Sequence, residues 1–397
     1  MDKRYDMIVI GAGISGLAMA FEAKQAGLNV LVLEKEARCG GCFDSAVVEN
    51  AQQAFWVEMG THTCFNSYAR LLSILDRLDL MDQLQAREKL RYRLLVDGSL
   101  YSIPSRLHFV ELMTHAWRIF SLKKQDQSVA DYYGALVGPK NYTELFQHAL
   151  SAVVCQDVNN LPADMLFRKR PRDKSIMRSY TFSGGLQDII QALEQQLDIH
   201  TNQHITSIAN DESGYAITTA EACYHSDRLV CATPALAASR LLKQAHPEIA
   251  GQLNWVREVE IESVAVVMQK NTLSQESIAG LIAVDGDFYS AVSRDYIEHP
   301  TLRGFTFHFK PGLLSEQEKV NRICTSLQIS SSDIQHLFHK TNRLPAPDMG
   351  HYQLIEALDA SLANTQLALI GNYFKGVAVE DCLERVETEL HRIMPSV

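Results

Sequence analysis

The stretch that decides the fold lies near the amino terminus and reads Met7-Ile8-Val9-Ile10-Gly11-Ala12-Gly13-Ile14-Ser15-Gly16. Its four consecutive apolar residues are typical of a strand buried on both faces of a parallel sheet. Gly11 permits a tight turn, Gly13 lets the backbone approach a pyrophosphate, and Gly16 lets a helix pack closely on the sheet. That helix is predicted over residues 14–25, and the free N–H groups of its first turn attract phosphate. The stretch therefore predicts a dinucleotide-binding turn.

A second apolar stretch supports the same prediction. Residues 31–33 are predicted to form the next strand, and Glu34 follows at about the 20-residue offset of a ribose-binding carboxylate. We expect Glu34 to accept hydrogen bonds from both hydroxyls of an adenosine ribose. A carboxylate at this position repels a 2′-phosphate, so NADP is disfavoured.

The bulk properties of the chain exclude several classes of protein. With 397 residues the chain is longer than one core usually serves, so we expect two domains. A formal net charge of -10 argues against sequence-independent binding of nucleic acid, which needs a basic face. No signal peptide is visible, and no apolar run approaches the ~20 residues that span a bilayer. Eight scattered cysteines indicate a reducing cytoplasm. The sequence shows no group of residues with metal-ligand spacing, so we predict no metal site.

Both ends of the chain follow the same order of strand, glycine turn and helix. At the carboxyl end, an apolar run at 367–370 precedes a glycine turn and a helix predicted over 379–393. We therefore predict an α/β fold in which a discontinuous Rossmann-like domain carries an inserted α+β domain of mixed antiparallel sheet and helices. The nucleotide-binding domain is predicted over 1–80, 181–250 and 361–397. The substrate-binding domain is predicted over 81–180, which includes a helical part, and over 251–360.

The predicted inserted parts contain recognisable local signals. Asp97-Gly98 predicts a hairpin within residues 90–103. Apolar residues at helical spacing predict helices from residue 104 to about residue 160. An antiparallel sheet is expected over 261–310, and residues 315–337 are expected to be helical.

Five segments together resemble the flavin-containing amine oxidase superfamily, and within it most closely the protoporphyrinogen oxidases. The first is the fingerprint of residues 7–16. The others are Glu34-Lys35-Glu36-Ala37-Arg38-Cys39-Gly40-Gly41-Cys42, Phe182-Ser183-Gly184-Gly185-Leu186, Ile205-Thr206-Ser207-Ile208 and Leu369-Ile370-Gly371-Asn372-Tyr373-Phe374-Lys375-Gly376-Val377-Ala378-Val379-Glu380-Asp381-Cys382. The resemblance covers both ends of the chain well and the centre poorly. It implies that the Rossmann-like domain binds FAD.

The resemblance and the chemistry of the turns together indicate which residues bind FAD. They are Gly11, Gly13, Ile14, Ser15, Gly16, Glu34, Lys35, Gly40, Gly41, Cys42, Gly60, Thr61, His62, Ile205, Ala232, Gly371, Asn372, Gly376, Val377, Ala378 and Val379. Gly371 lets the backbone pass close to the flavin, and Gly376 can adopt a positive φ. The N–H groups of residues 377–379 open a helix, so they can stabilise negative charge at the N1–C2=O edge of the flavin.

The loop at residues 39–42 departs from the family pattern. The family usually carries a second arginine, facing the FAD phosphates, at the position of Cys42. Because that arginine supplies a bidentate cation, its replacement is expected to weaken FAD binding. Cys39 and Cys42 also have the spacing of a redox pair, but such pairs normally lie at a helix N-terminus. We therefore interpret this loop as a phosphate contact, with a redox dithiol as the alternative.

Several side chains admit both a functional and a structural interpretation. Tyr373 and Phe374 could form a wall of a substrate cavity over the flavin or cover the sheet as core aromatics, and we favour the cavity. His62 could contact substrate or flavin, or be a structural turn residue. Lys310 could bind the water at flavin N5, as in the amine oxidases, although a solvated lysine at a strand end is favoured.

Two longer segments also admit two interpretations. A basic run could bind an anionic substrate or form a solvated loop, and consists of Arg168, Lys169, Arg170, Arg172 and Lys174. Residues 107–122 mix aromatic and basic side chains. They could dock on a membrane surface or line the substrate pocket.

Together these features predict an FAD-dependent oxidoreductase that removes hydride from a C–H or C–N bond of a bulky, largely apolar small molecule. O2 is the expected electron acceptor and the cytoplasm is the expected location, with peripheral contact at the inner membrane face left open. Pocket candidates are Tyr373, Phe374 and His62, and no catalytic acid or base can be assigned. The alternatives are an amine oxidase or desaturase of a secondary metabolite, a UDP-galactopyranose mutase-like non-redox flavoenzyme, and a flavin-binding protein without catalysis. The sequence leaves the oligomeric state open.

Overall fold

The computed structural model describes residues 3–49, 53–284 and 286–395. In chain order, the strands are β1 (Lys3–Ile10), β2 (Val30–Leu33), β3 (Ser45–Val47), β4 (Trp56–Glu58), β5 (Cys64–Phe65), β6 (Gln85–Ala86), β7 (Tyr92–Val96), β8 (Ser99–Ser102), β9 (Ser179–Thr181), β10 (Asp198–His200), β11 (Ile205–Asp211), β12 (Gly214–Thr219), β13 (Cys223–Cys231), β14 (Glu258–Gln269), β15 (Gly280–Ala283), β16 (Phe288–Ser293), β17 (Leu302–Phe309), β18 (Ile334–Pro345) and β19 (Leu367–Leu369). The helices are α1 (Ile14–Gln25), α2 (Ala69–Arg77), α3 (Phe109–Ala116), α4 (Val129–Val137), α5 (Pro139–Asn141), α6 (Gln147–Val154), α7 (Gln187–Glu194), α8 (Ala235–Leu242), α9 (Pro247–Leu253), α10 (Glu316–Leu327), α11 (His351–Leu362) and α12 (Val379–Ile393).

The first sheet brings the two ends of the chain together. Its strand order is β10-β2-β1-β13-β12-β11, and β19 pairs with the carboxyl half of β13. Strands β10, β2, β1, β13 and β19 run parallel, whereas β11, β12 and β13 form an antiparallel meander. Because β1 and β19 pair with the same strand, the amino-terminal and carboxyl-terminal strands lie two positions apart. The predicted α/β fold with a discontinuous Rossmann-like domain is confirmed.

Both faces of the first sheet are buried, which explains its unbroken apolar runs. Met7, Val9 and Val32 face a core formed with helices α1, α7 and α12. Ile8 and Leu31 face a second core formed with α8, α9 and α11. A strand that is covered on both sides has no polar face, so its sequence does not alternate.

The second sheet has the order β18-β14-β17-β16-β15-β7-β8. It is mixed, because β15 pairs parallel with β7 while the other pairs are antiparallel. One face packs on α10, and the predicted hairpin at Asp97-Gly98 joins β7 to β8. Part of the opposite face packs on Phe55, Val57 and Met59 from the amino-terminal part of the chain. The predicted inserted sheet is confirmed, and the exact domain boundaries stay a prediction.

The helix predicted over residues 315–337 was wrong in its second half. Helix α10 ends at Leu327, and Gln328 adopts a left-handed conformation with φ 57°. Residues from Ile334 onward form β18, which pairs antiparallel with β14 along almost its whole length. Ile334 and Leu337 belong to the part that is extended. Their strand conformation depends on a partner about seventy residues earlier in the chain, which local spacing does not reveal.

Candidate functional site

The predicted nucleotide contacts follow four strand ends that lie in one row. The register pairs Ile10 with Leu33 and Cys231, and it pairs Cys231 with Leu369. Predicted contacts follow immediately after the first three of these strands, and Gly371 follows β19 by two residues. Parallel sheets bind ligands outside the carboxyl ends of their strands, so this edge has the expected position for a nucleotide.

The three glycines of the opening fingerprint have different packing. A Cβ on Gly16 would lie 2.0 Å from the Gly11 carbonyl oxygen and 3.0 Å from the Ala232 Cβ. Gly11 has φ +101°, a conformation that favours glycine. A Cβ on Gly13 would meet no atom of the described residues within 4 Å. The conformation and packing of the turn therefore require glycine at positions 11 and 16, while Gly13 faces open space at the start of α1.

The double-glycine loop lies directly against this open space. Gly40 forms an isolated parallel bridge with Gly13, and its N–H donates to the Ala12 carbonyl at 2.8 Å. A Cβ on Gly41 would lie 3.5 Å from the Gly13 Cα. Arg38 fixes the loop by donating to the carbonyls of Cys39, Gly41 and Phe43. The open space beside Gly13 is bounded by glycines and by the first turn of α1, and a helix N-terminus of this kind suits a pyrophosphate.

Glu34 already has two backbone donors. Its carboxylate accepts from the Ala12 N–H at 2.7 Å and from the Glu36 N–H at 3.0 Å. Its backbone carbonyl accepts from the Gln203 N–H at 2.8 Å, which holds the segment leading to Ile205 beside it. A carboxylate has about four lone-pair sites, so both oxygens can also accept from a ribose. Lys35 points to the surface, where it pairs with Glu36.

The segment at residues 60–62 is attached to the same loop. The Thr61 N–H donates to the Cys42 carbonyl at 2.8 Å, and a Cβ on Gly60 would lie 2.4 Å from that oxygen. His62 is half-buried, and its Nδ1 lies 2.8 Å from the Thr63 hydroxyl. The structure thus brings residues 40–42 and 60–62 together.

The first turns of α1 and α12 meet beside the loop. Ser15, in α1, lies close enough to the Cys382 thiol, in α12, to lower the pKa of that thiol. Burial raises the pKa of the Cys382 thiol to about 12, while the contact with Ser15 lowers it. Residues 377–379 lead into α12, and Gly376 has φ +150° with a Cβ position 2.7 Å from Asp381 Oδ2. Two positive helix ends therefore lie at one edge of the sheet.

The two aromatic residues of the carboxyl-terminal turn pack into the core. Tyr373 and Phe374 are 3% and 1% exposed, and the Arg385 guanidinium lies 3.8 Å from the Phe374 ring centroid. This favours the core-aromatic alternative for Phe374. Tyr373 also borders a cavity of ≈ 20 Å³ that it shares with Asn372, Val377 and other residues. Burial raises the pKa of the Tyr373 hydroxyl, which has no hydrogen-bond partner among the described residues.

The basic run is divided between a buried ion cluster and the surface. Arg168 and Arg170 both pair with Asp381, which is 3% exposed. Lys169, Arg172 and Lys174 are exposed. Two of the five cations therefore neutralise a buried carboxylate at the start of α12, an interpretation that the sequence did not suggest.

The surroundings of the cysteine pair and of Lys310 bear on their proposed roles. Burial is the largest cause that raises the pKa of the Cys39 and Cys42 thiols. A raised thiol pKa disfavours the thiolate that redox exchange needs. Lys310 is half-buried, with its Nζ 5.1 Å from the Tyr289 ring centroid.

A row of polar residues on the second sheet was missed by the sequence analysis. The register places Lys340, Ser263, His308 and Ser290 side by side on four neighbouring strands. The Ser263 hydroxyl lies 3.0 Å from His308 Nδ1, and Asn342 on the same face donates to the Met59 carbonyl at 2.8 Å. Lys340 Nζ donates to the Gly41 carbonyl at 2.6 Å. No local signal could reveal this row, because its members are joined only by strand pairing.

Two histidines near this row are held neutral. Burial lowers the pKa of His308 to about 4. Burial also lowers the pKa of His62, and the nearby charge of Arg87 acts in the same direction. Both imidazoles are therefore uncharged hydrogen-bonding groups at neutral pH.

Profiles of known protein families match two stretches of the chain. The profile of the NAD(P)-binding Rossmann-like domain matches residues 9–78, and that of the flavin containing amine oxidoreductases matches residues 139–268. The chain resembles the flavin-containing amine oxidoreductases. FAD is the cofactor that these matches imply.

Individual relatives cover short segments. Protoporphyrinogen oxidase 2 of Arabidopsis thaliana is 41% identical over 86 residues, which are 21% of this chain and 16% of that protein. A probable flavin-containing monoamine oxidase A of Dictyostelium discoideum is 35% identical over 78 residues, which are 20% of this chain and 16% of that protein. The chain thus aligns with about a sixth of the length of these curated relatives.

A solved structure covers the whole fold. A protein of Exiguobacterium sp. 255-15, provisionally named protoporphyrinogen oxidase, superposes with a TM-score of 0.82. The match covers 99% of each chain at 18% sequence identity, so it shows that the folds agree.

The different packing of Gly13 and Gly16 gives a prediction for the dinucleotide turn. Gly13→Ala places a methyl group in open space, so we expect the apoprotein to unfold at the wild-type urea concentration while FAD binding weakens at least tenfold. Gly16→Ala drives its Cβ into the Gly11 carbonyl and is expected to lower both stability and FAD affinity. Urea unfolding and fluorescence titration with FAD measure the two effects. Wild-type FAD affinity in Gly13→Ala would contradict the placement of the pyrophosphate.

The buried His308 gives a prediction about pH. Between pH 6.5 and about 4 the unfolded chain binds a proton at this position that the folded chain does not bind, so the free energy of unfolding falls as the pH falls. We expect His308→Gln to lose less stability than the wild type between pH 7 and pH 5, measured by urea unfolding. The control His204→Gln changes an exposed imidazole and is expected to keep the wild-type dependence. Identical curves for His308→Gln and the wild type would show that His308 does not titrate as described.

Proposed function

We propose that the protein is an FAD-dependent oxidoreductase that accepts hydride from a C–H or C–N bond of a small molecule. The observation that carries this proposal is the meeting of two strand–turn–helix units, one from each end of the chain, at one edge of the first sheet. A nucleotide that is held by a single phosphate-binding turn of the protein needs only one such unit. FAD is long enough to use both, with its adenosine at the first turn and its ring at the last.

The proposed contacts follow the length of FAD. Glu34 and Ile205 would hold the adenosine, and the two glycine loops around Gly13 and Gly41 would hold the pyrophosphate. The open space beside Gly13 fits this group, because glycines and the first turn of α1 bound it. Residues 371–379 would face the ring, where the N–H groups at the start of α12 stabilise negative charge. When bound, FAD supplies the redox chemistry of the reaction.

The substrate is proposed to lie between the ring and the second sheet. His62, His308, Ser263 and Ser290 offer hydrogen bonds without charge in this region. A neutral, polar lining suits a bulky substrate with scattered N–H or carbonyl groups better than a small cation. A porphyrinogen is bulky and carries pyrrole N–H groups, and a relative named protoporphyrinogen oxidase makes this class the first to test. O2 is the proposed electron acceptor.

The test begins with the colour of the purified protein. We expect a flavin absorbance spectrum with one FAD per chain. Under anaerobic conditions, protoporphyrinogen or coproporphyrinogen is expected to bleach this spectrum, and air is expected to restore it with release of H2O2. Bleaching by a panel of primary and secondary amines alone would assign amine oxidation instead. A protein that binds FAD but is bleached by no member of either panel would contradict the proposed substrate classes, and a protein that cannot bind FAD would overturn the whole proposal.

A surface apart from the nucleotide site supports contact with a membrane. Helix α3 contains no buried residue, and large apolar side chains of this region are exposed: Phe109, Val110, Met113, Trp117, Ile119 and Phe120. Phe120 is 92% exposed, although exposing such a side chain to water is unfavourable. Arg106, Lys123 and Lys140 are exposed nearby, in a chain whose net charge is -10.

We propose that this apolar surface docks on an anionic lipid bilayer. Insertion of the apolar side chains and attraction of the basic ones would act together. Within residues 3–49, 53–284 and 286–395, no helix is long and apolar enough to cross a bilayer. The proposed contact is therefore peripheral.

The membrane proposal predicts binding to lipid vesicles. The wild type is expected to sediment with vesicles that contain phosphatidylglycerol, and less with vesicles of phosphatidylcholine alone. The double variant Met113→Glu/Phe120→Glu is expected to stay in the supernatant. Trp255→Glu, which changes a side chain that is 78% exposed elsewhere, is the matched control and should sediment like the wild type. Equal sedimentation of the double variant and the wild type would contradict this role of α3.

A further inference from the structure

The double-glycine loop receives a lysine from the second sheet. Lys340 lies on β18, the edge strand, where alternate side chains point outward or toward the amino-terminal segments. Its side chain is 17% exposed, and its Nζ donates to the Gly41 carbonyl at 2.6 Å. Its Nζ also lies 2.8 Å from Asp44 Oδ2. Lys340 therefore crosses from one sheet to the loop that borders the open space at Gly13.

The charges around this loop are unbalanced. Asp44 Oδ2 lies 2.9 Å from the Arg38 guanidinium as well as 2.8 Å from Lys340. Arg38 and Lys340 also share the Gly41 carbonyl as an acceptor. One carboxylate thus faces two cations, which leaves one surplus positive charge in this contact. The Lys340 side chain is 17% exposed and that of Arg38 is 41% exposed, so the surplus charge is only partly solvated and attracts an anion such as a pyrophosphate.

The residue at the centre of the loop carries no charge. Cys42 follows Gly41 directly, and burial raises its thiol pKa, so it is neutral at physiological pH. The positive charges of Lys340 and Arg38 act to lower the pKa of Cys42. The positive charge beside Gly41 therefore comes from Arg38, four residues earlier than Cys42, and from Lys340, about three hundred residues later.

We propose that Lys340 supplies, from the second sheet, the positive charge for the FAD pyrophosphate that Cys42 lacks. This inference rests on the proposed function. It also has a structural consequence, because the cofactor site is complete only when β18 lies against residues 40–44. FAD binding and the docking of the second sheet on this loop then strengthen each other.

Substitution of the lysine tests this role directly. Lys340→Met keeps most of the side-chain volume and removes the charge, and the dissociation constant for FAD is expected to rise about tenfold. Arg343→Met is the matched control, since Arg343 lies on the same strand but pairs with Glu260 at the surface. FAD affinity is measured by fluorescence titration of the apoprotein, and circular dichroism compares the folding of the variants.

A second substitution, which returns a positive charge to the loop, distinguishes an electrostatic role of Lys340 from a purely structural one. Cys42→Arg in the Lys340→Met background is expected to restore FAD affinity, because the cation returns beside Gly41. Wild-type affinity in Lys340→Met would overturn the inference while the proposed function stands. A loss of affinity that Cys42→Arg does not restore would also overturn it, since Lys340 would then act only by holding the sheets together. A wild-type protein that binds no FAD would overturn both.

A second measurement needs no variant. We expect FAD to protect Lys340 of the wild-type protein from an amine-acetylating reagent, as read by mass spectrometry, and to leave Lys270, whose side chain is 40% exposed, unprotected. Equal acetylation of Lys340 with and without FAD would contradict the inference even if Lys340→Met did not fold.

Discussion

The whole site depends on the parallel pairing of β13 with β1 on one side and with β19 on the other. A parallel pair places the carboxyl ends of its strands at the same edge, so Ile10, Cys231 and Leu369 lie in one row. The turns that follow these residues therefore lie at the same edge of the sheet. Residues separated by more than 350 positions in the chain therefore form one continuous edge, and each first helical turn there presents N–H groups to the same region.

The parts of the site that depend on local chemistry could be predicted from the sequence. Gly11 and Gly16 are required by sterics within a few residues, and the strand and helix around them have strong periodic signals. The loop at residues 39–42 was interpreted as a phosphate contact from its double glycine, and its Gly40 lies beside Gly13. Phe374 shows the limit of this reasoning, because an aromatic residue beside a glycine turn can face a cavity or a core. Its burial against Arg385 depends on α12 packing back on the sheet.

The parts that depend on distant pairing could not be predicted. Lys340 and His308 belong to strands whose register with β14 is set by long-range hydrogen bonds. The stretch after Leu327 was predicted as helix, whereas in the structure it is extended and pairs with β14. Arg168 and Arg170 were ambiguous for the same reason, since nothing near them in the chain indicates that the buried Asp381 is their partner.

Hydrogen exchange measured by mass spectrometry, with and without FAD, tests most directly whether both chain ends hold one cofactor. The account predicts that FAD slows exchange together in residues 11–16, 40–42 and 371–382, with the same dependence on FAD concentration. Slowing confined to the amino-terminal loop would mean that the ligand uses only one of the two turns. That result would contradict the central claim.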